Sequence, residues 1–409
     1  MNTLEPPTPV PETPAPKGKS ALVIASCVAA TLLIAGACLL IAANIRGAAP
    51  ENSGKSPHSA TEGSTPVDVA APTARLPLPV EVRGVYITAS TASSFDRYTK
   101  LISSIKAKGA NAIVLDLKAA SGSLAFVPNS ATLRSEAPVK GLYDLDKLVA
   151  AAHVQGFYVI ARYPVFEDPA FAAKHPEAAL HRADGSLWRD ARGLYWLDPA
   201  AESVWKYNVD IAKEAYSRGV DEIQFDYIRF ATDGKTSQIV YPYYDAKKNM
   251  RSVIGGLFAY LDQNLRSQGI PISADVFGFT TWHQTDLGIG QWYADTLAHF
   301  DFVSPMVYPS HYPSGTLGFK NPAAHPYEIV FDSLKKGGEV AATMKAEAES
   351  PPPMASQRPW LQAFNMGAIY TPEMIYAQIK AARDQGASGF LLWNAGNNYS
   401  SLPNLTSNL

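Results

Sequence analysis

From Val82 onward the sequence repeats one pattern, in which a short apolar strand is followed by a loop, an amphipathic helix and another apolar strand. Eight segments have the length and the β-branched or aromatic content of buried strands. They begin at Val82, Ala112, Phe157, Glu222, Ile272, Phe302, Trp360 and Gly389. Eight strands that alternate with helices over about 330 residues are typical of an α/β (β/α)8 TIM barrel, which is therefore the predicted fold.

The alternative fold is an open doubly wound sheet. That fold carries a glycine-rich phosphate turn, G-x-G-x-x-G, directly after its first strand. Residues 88–94, which follow the first predicted strand, contain no such motif. Glycine also stands between five predicted helices and the strands after them, at Gly109, Gly156, Gly219, Gly269 and Gly386. Glycine at this place ends a helix in left-handed backbone, so these positions favour the alternating barrel pattern.

The first 80 residues have a different character from the barrel. Residues 1–20 are rich in proline without apolar periodicity, which predicts a disordered tail. Residues 21–45 form an apolar run without charge, long enough for a bilayer core of about 20 residues. Residues 46–80 are rich in Pro, Ser, Thr, Ala and Gly, which predicts a flexible linker. The barrel is assigned to 81–400 and a C-terminal tail to 401–409.

The apolar run at 21–45 predicts a partner and a location. It is longer than the apolar core of a cleaved signal, so an uncleaved transmembrane signal-anchor in a lipid bilayer is expected. Lys17 and Lys19 before it and Arg46 after it weakly favour the tail inside and the barrel outside. The prediction is a single-pass cell-membrane protein with an extracytoplasmic barrel. The small-residue stretches A-G-A and G-A-A leave a cleaved, secreted form as the alternative.

Composition excludes several classes of function. The sequence pI of about 6.5 and the absence of a basic stripe argue against a nucleic-acid partner. The two cysteines, Cys27 and Cys38, both lie in the apolar run, so the barrel has no disulfide and no cysteine metal site. The eight histidines show no H-x-H or H-E-x-x-H pattern, so no zinc site is expected. No metal and no cofactor are predicted.

The most informative stretch is GVDEIQFDYIRF, residues 219–230. Its apolar run fits a buried strand, on which Gln224 and Asp226 share one face. An acid in such a strand is costly to bury unless it is paired or hydrogen-bonded. Asp226 is therefore either a structural partner for a nearby loop or a catalytic carboxylate at the carboxyl end of a barrel strand. The stretch alone leaves both readings open.

Polar residues stand near the carboxyl ends of the other strands as well, and a barrel brings those ends together around one pocket. Carboxylates and amides bind sugar hydroxyls, and aromatic rings stack on the apolar face of a sugar, so the combination predicts a polysaccharide or oligosaccharide substrate. The predicted catalytic residues are Asp226, Asp275 and Asp116. The predicted substrate-binding residues are Lys118, Arg162, Gln224, Arg229, Trp282, Tyr308, His311, Trp393 and Asn394.

Several long motifs in the barrel resemble one family. They are DEIQFDYIRF, SADVFGF, GIGQ, SPMVYPSHY and PYE from Pro326. They are similar to the DUF4015 family, whose members are grouped as glycoside hydrolases, and the likeness runs from about Val82 to Asn397. The resemblance implies a (β/α)8 barrel of the glycosidase type. The family commonly has proline after D-Y-I-R-F, whereas this chain has Ala231.

Glycoside hydrolysis usually needs one protonated and one ionised carboxyl group beside the scissile bond. Asp226 is predicted to be the nucleophile or base. Asp275 has apolar neighbours that would raise its pKa, so it is predicted to be the acid, and Asp116 is the reserve for either role. Arg162 or Arg229 is expected to keep Asp226 ionised. The predicted function is a membrane-anchored glycosidase; the alternatives are a non-catalytic carbohydrate-binding barrel and an envelope scaffold protein.

Overall fold

The computed structural model describes residues 74–349 and 353–407, which form a closed barrel of parallel strands. Each strand pairs with the next in sequence, and the last pairs with the first. The strands are β1 Val82–Ile87, β2 Ala112–Asp116, β3 Tyr158–Pro164, β4 Glu222–Asp226, β5 Ile272–Phe277, β6 Phe302–Met306, β7 Trp360–Gln362 with the short lead-in Ser356–Gln357, and β8 Gly389–Trp393. The predicted (β/α)8 barrel is confirmed.

The helices lie outside the strands. They are α1 Ala89–Ala92, α2 Phe95–Ala107, α3 Ala131–Glu136, α4 Leu145–Val154, α5 Pro169–Lys174, α6 Glu202–Ser217, α7 Met250–Asn264, α8 Tyr293–His299, α9 Pro326–Glu347 and α10 Pro372–Asp384. The five glycines at helix ends all have positive φ, between 66° and 96°, as their positions predict. These residues turn the chain from one layer to the other.

The barrel interior has an apolar side and a polar side. Val114 on β2, Ile160 on β3 and Leu391 on β8 belong to one apolar cluster inside the barrel. On the opposite side, the Nε2 atom of Gln224 on β4 donates to the Oγ atom of Ser304 on β6 over 3.2 Å. Because β4 and β6 are not neighbours, this hydrogen bond crosses the interior. Buried polar groups need such partners, so the polar side holds its groups in fixed positions.

A buried ion pair fills the amino-terminal end of the barrel, here called the barrel floor. Arg358 donates to both carboxylate oxygens of Glu222, with a distance of 3.0 Å from Nη1 to Oε2. The Oγ atom of Ser273 lies 2.5 Å from Oε1, and the hydroxyl of Tyr158 lies 3.4 Å from Oε2. Both charged side chains are fully buried. The floor is therefore closed by a polar network in which both carboxylate oxygens of Glu222 have partners, while the Nε atom of Arg358 is buried without one.

Both described ends of the chain are attached to the barrel. The backbone N–H of Leu76 donates to Asp221 over 2.9 Å, directly before β4, and Arg75 lies over the ring of Tyr216. At the other end, Leu402 and Leu405 are buried. Arg75 and Leu76 thus lie on the floor side of the barrel.

The predicted tail at 1–20 and the predicted signal-anchor at 21–45 lie outside the described residues, as does most of the predicted linker. Within 74–349 and 353–407, every helix is too short or too polar to cross a bilayer.

Candidate functional site

The guanidinium of Arg162 on β3 lies among three aspartates at the carboxyl end of the barrel, here called the barrel mouth. Its Nη1 atom donates to Oδ1 of Asp116 over 2.6 Å, and its Nη2 atom donates to Oδ2 of Asp226. Its Nε atom is 3.5 Å from Oδ2 of Asp275. Strands β2, β4 and β5 supply the three acids. The three predicted catalytic residues and the predicted Arg162 are thus brought together.

Each aspartate has one further contact. The hydroxyl of Tyr86 donates to Oδ2 of Asp116 over 2.5 Å. The backbone N–H of Tyr227 donates to Oδ1 of Asp226 over 2.6 Å, and the indole N–H of Trp360 donates to Oδ1 of Asp275 over 2.7 Å. Among these six carboxyl oxygens, only Oδ2 of Asp275 is buried without a hydrogen-bond partner in the described structure.

Burial raises the pKa of two of these acids. Burial, followed by the charge of Asp226, holds the pKa of Asp275 well above its ordinary range, although Arg162 acts in the opposite direction. Burial also raises the pKa of Asp116, against Arg162 and the hydrogen bond from Tyr86. Burial lowers the pKa of Arg162, but the neighbouring carboxylates outweigh it, so Arg162 stays a cation. The cluster therefore combines two carboxyls of raised pKa with one buried positive charge.

An aromatic wall lies on the other side of Arg162. The rings of Tyr86 and Trp393 are stacked with centroids 3.9 Å apart, and Trp360 meets Trp393 edge-on at 5.4 Å. The guanidinium carbon of Arg162 is 5.1 Å from the Trp393 ring centroid. Trp393 was predicted from the sequence, whereas Tyr86 and Trp360 were not. Side chains alternate along β1, so Tyr86 points into the barrel together with Val82. This alternation could have identified Tyr86 from the sequence.

Three other predicted residues lie near the cluster. Burial, followed by the charges of Asp275 and Asp226, holds the pKa of Tyr308 well above its ordinary value, so Tyr308 shares their electrostatic environment. The ring of His311 is 5.2 Å from that of Tyr308, and burial lowers the pKa of His311 to about 4, so it is neutral at pH 7. Gln224 lies one layer deeper, on the inward face it shares with Asp226, as the strand alternation predicts.

Two predicted basic residues do not join the cluster. Lys118 is fully buried in an ion pair with Asp168, with Nζ 2.7 Å from Oδ2. Strand β2 ends at Asp116, so Lys118 lies in the loop after it. Arg229 donates to the carbonyl of Phe230 over 3.0 Å and packs against the Trp196 ring. Of the two arginines expected to hold Asp226, Arg162 makes the contact.

Trp282 and Asn394 are also engaged elsewhere. The indole N–H of Trp282 donates to Ser333 on α9 over 2.9 Å, and its ring remains half-buried. The side-chain amide of Asn394 donates to the carbonyls of Ala363 and Asn398 over 2.7 and 2.9 Å. Asn394 thus holds the loop after β8 rather than facing the three aspartates.

A second charged group, which the sequence did not single out, lies on the loop after β3. Glu167 pairs with Arg192, and both of their side chains are largely buried. Burial raises the pKa of Glu167 to about 8, although Arg192 and Arg229 lower it. Among residues 74–349 and 353–407, no set of three or more His, Cys, Asp or Glu side chains is arranged to hold a metal ion.

We expect the raised pKa of Glu167 to make stability depend on pH. An ordinary glutamate titrates near 4.5, so between about pH 4.5 and 8 the folded chain holds a proton that the unfolded chain releases. This contribution is present below pH 4.5 and is lost as the pH rises through 8, a change on the order of 5 kcal/mol. Relative to Glu167→Gln, whose amide does not titrate, the wild-type melting temperature should fall between pH 5 and pH 9. A constant difference would contradict the assignment.

Comparison with known proteins gives the family. A search of curated protein sequences returned no significant match. A solved hypothetical protein from Ruminiclostridium thermocellum is 34% identical, with 47% of this chain and 97% of that chain covered and a TM-score of 0.42. The PgaB (BpsB) glycoside hydrolase domain from Bordetella bronchiseptica is 13% identical, with 78% and 95% covered and a TM-score of 0.56. The second likeness supports the barrel fold.

The family model described as "Putative glycosyl hydrolase domain", DUF4015, matches residues 84–399. This range runs from β1 to beyond β8 and contains the whole Arg162 cluster. It agrees with the resemblance seen in the sequence motifs, and it supports a glycosidase. Because the match covers the barrel from end to end, this chain belongs to the DUF4015 family of glycosyl hydrolases.

Proposed function

We propose that this chain hydrolyses glycosidic bonds in a cell-envelope or secreted polysaccharide by a two-carboxylate mechanism. The observation that carries the proposal is the set of three aspartates from three strands around Arg162 at the barrel mouth. Glycoside hydrolysis needs carboxyl groups in two protonation states at one place. A single guanidinium among three buried carboxyls supports that arrangement, because it cannot neutralise all of them.

Asp226 is the proposed nucleophile or base. Its two oxygens accept hydrogen bonds from Arg162 and from the backbone N–H of Tyr227, which is the environment of an ionised carboxylate. Its side chain is 9% exposed at the mouth, which gives a substrate or a water molecule access to it. An ionised, accessible carboxylate is what attack on the sugar or activation of water requires.

Asp275 is the proposed acid. Its buried Oδ2 has no hydrogen-bond partner, and burial holds its pKa well above the ordinary range, which favours the protonated form that an acid needs. Asp116 is the alternative acid, because its pKa is also raised and its side chain is 13% exposed against 1% for Asp275. Both oxygens of Asp116 are already hydrogen-bonded, which favours Asp275 as the proton donor.

The proposal includes a location. The apolar run at residues 21–45 and the flanking charges support a membrane anchor with the barrel outside the cell. In that place the accessible polymers are those of the envelope and those secreted beyond it.

The test compares the full chain, purified in detergent, with its Asp275→Asn and Asp116→Asn variants. Envelope and secreted polysaccharides are incubated with each, and new reducing ends are counted. We expect release by the wild type and a loss of about 10²- to 10⁴-fold in Asp275→Asn, the usual contribution of a general acid. On an aryl glycoside of the same sugar, whose leaving group needs no proton, the activity of Asp275→Asn should fall much less.

The same comparison can reject the assignments. If Asp116→Asn instead shows the large loss on polysaccharide and the small loss on the aryl glycoside, Asp116 is the acid. If the wild type binds these polymers but releases no reducing ends from any of them, the barrel is a carbohydrate-binding module and the proposed hydrolysis is wrong.

A further inference from the structure

The loops after β3 and β4 form a second concave surface, here called the basic cleft. Its volume is about 800 Å³, and it is lined by two hairpin turns of the first loop and by residues 234–238 of the second. His181 pairs in antiparallel fashion with Leu187 and with Val240, and Arg189 pairs with Tyr195. The bridge from His181 to Val240 joins the two loops, and the other two fix the turns within the first loop, so the cleft has a defined shape. Its volume is within the range of about 300–1,000 Å³ typical of ligand sites.

Three cationic side chains line the basic cleft: Arg182, Arg189 and Lys235. All three are exposed. The guanidinium of Arg189 donates to the hydroxyl of Tyr195 and lies 4.4 Å from the centre of that ring, which holds it in place. Within the described chain, Arg182, Arg189 and Lys235 form no salt bridge with an acid. Their charge is therefore available to a ligand.

The acids of the basic cleft offset this charge only in part, since Asp184 interacts with Arg182. The Oδ1 atom of Asp190 accepts from the backbone N–H groups of Arg192 and Leu194, and its Oδ2 atom accepts from the indole of Trp196 over 3.1 Å. Its carboxylate is thus committed to holding the hairpin turn. Asp184 is the other acid in the lining, and it is tied to Ser186 through Oδ1. Three cations against one outward acid leave the cleft positive.

The basic cleft is connected to the barrel mouth by a short series of contacts. Asp190 holds Trp196, and the ring of Trp196 meets that of Tyr227 edge-on at 5.8 Å. Tyr227 directly follows Asp226, whose side chain it contacts through its backbone N–H. Both surfaces are built on the loops at the carboxyl end of the barrel.

We propose that the basic cleft is a subsite for acidic sugars, binding the carboxylate or sulfate groups of a polysaccharide whose neighbouring residues occupy the barrel mouth. This rests on the proposed glycosidase function. Arginine and lysine bind such anions through charge-assisted hydrogen bonds. Ser237 and Gln238, which also line the cleft, offer a hydroxyl and an amide to the sugar.

The test measures binding with the full chain carrying Asp226→Asn, so that the polymer is not cut. The probes are polygalacturonate with its uncharged methyl ester, and dextran sulfate with uncharged dextran. Arg182→Gln/Lys235→Gln removes two charges from the cleft. Arg97→Gln/Lys345→Gln removes the same two charges from exposed positions elsewhere and serves as the control.

We expect the chain to bind at least one anionic polymer and to bind its uncharged form much less tightly. The cleft variant should lose about tenfold in affinity at low salt, and the control variant less than twofold. The loss should shrink as salt screens the charges. The inference is overturned if neither anionic polymer binds, if the uncharged forms bind equally well, or if the two variants behave alike.

These outcomes are separate from those of the reducing-end assay. Hydrolysis of a neutral polysaccharide without charge-dependent binding would contradict the proposed acidic-sugar subsite and support the proposed glycosidase function. Cleft-dependent binding without any hydrolysis would keep the subsite and remove the proposed catalysis.

Discussion

Replacing Asp226 with asparagine should lower polysaccharide hydrolysis by about 10²- to 10⁴-fold. The amide keeps the shape of the side chain but removes the carboxylate that pairs with Arg162. An amide is neither an effective nucleophile nor a base, so the loss should appear in kcat rather than in substrate binding. The measurement is the rate of reducing-end release at saturating polysaccharide by the full chain and by the variant.

Asp245→Asn is a matched control for this prediction. It makes the same change of charge on the same loop after β4, but the side chain is exposed and its Oδ1 atom only accepts from the backbone N–H of Lys247. We expect its activity to lie within twofold of the wild type. Equal reducing-end release by Asp226→Asn and the wild type would remove Asp226 from the chemistry, provided that both melt at similar temperatures.

The second large effect concerns the barrel floor. Arg358→Met should lower the free energy of unfolding by about 3–5 kcal/mol, because it leaves the carboxylate of Glu222 buried without its partner. Urea denaturation followed by tryptophan fluorescence gives this difference. The double variant Glu222→Gln/Arg358→Met removes both charges, and we expect it to recover most of the lost stability.

Arg97→Met is the control for the barrel-floor prediction. Arg97 is exposed, and the same substitution there should change stability by less than about 0.5 kcal/mol. If Arg358→Met is as stable as the wild type, the ion pair contributes nothing to the fold. If the double variant is as unstable as the single one, altered packing at position 358, rather than the unpaired charge of Glu222, causes the loss of stability.

The sequence predicted the barrel and the acids of the site because both depend on local patterns. The alternation of β4 places Gln224 and Asp226 inside, and the position of Asp275 near the end of β5 brings it to the same mouth. Any closed parallel barrel unites those positions. The aspartates could therefore be named without knowing which side chains they contact.

The partners of these acids depend on where each strand ends, and the sequence does not show this. The chain turns at Tyr227, which has a φ of 53°, so Arg229 leaves the line of β4 and packs against Trp196. A non-glycine residue in left-handed backbone is uncommon, and the local pattern does not predict it. The ion pair of the barrel floor could not be predicted from local sequence either, because Glu222 and Arg358 are 136 residues apart and meet only after the barrel closes.

The attachment of Arg75 and Leu76 at the barrel floor has a practical consequence. The N–H of Leu76 is bound to Asp221 at the end of the barrel opposite the Arg162 cluster. A bead or surface coupled at residue 76, next to the first described residue, therefore holds the barrel by its base, and the barrel mouth points away from the support. Coupled in this way, the protein should keep its mouth open to large and small probes alike, whereas attachment through the loops after β3 or β4 would obstruct large ones first.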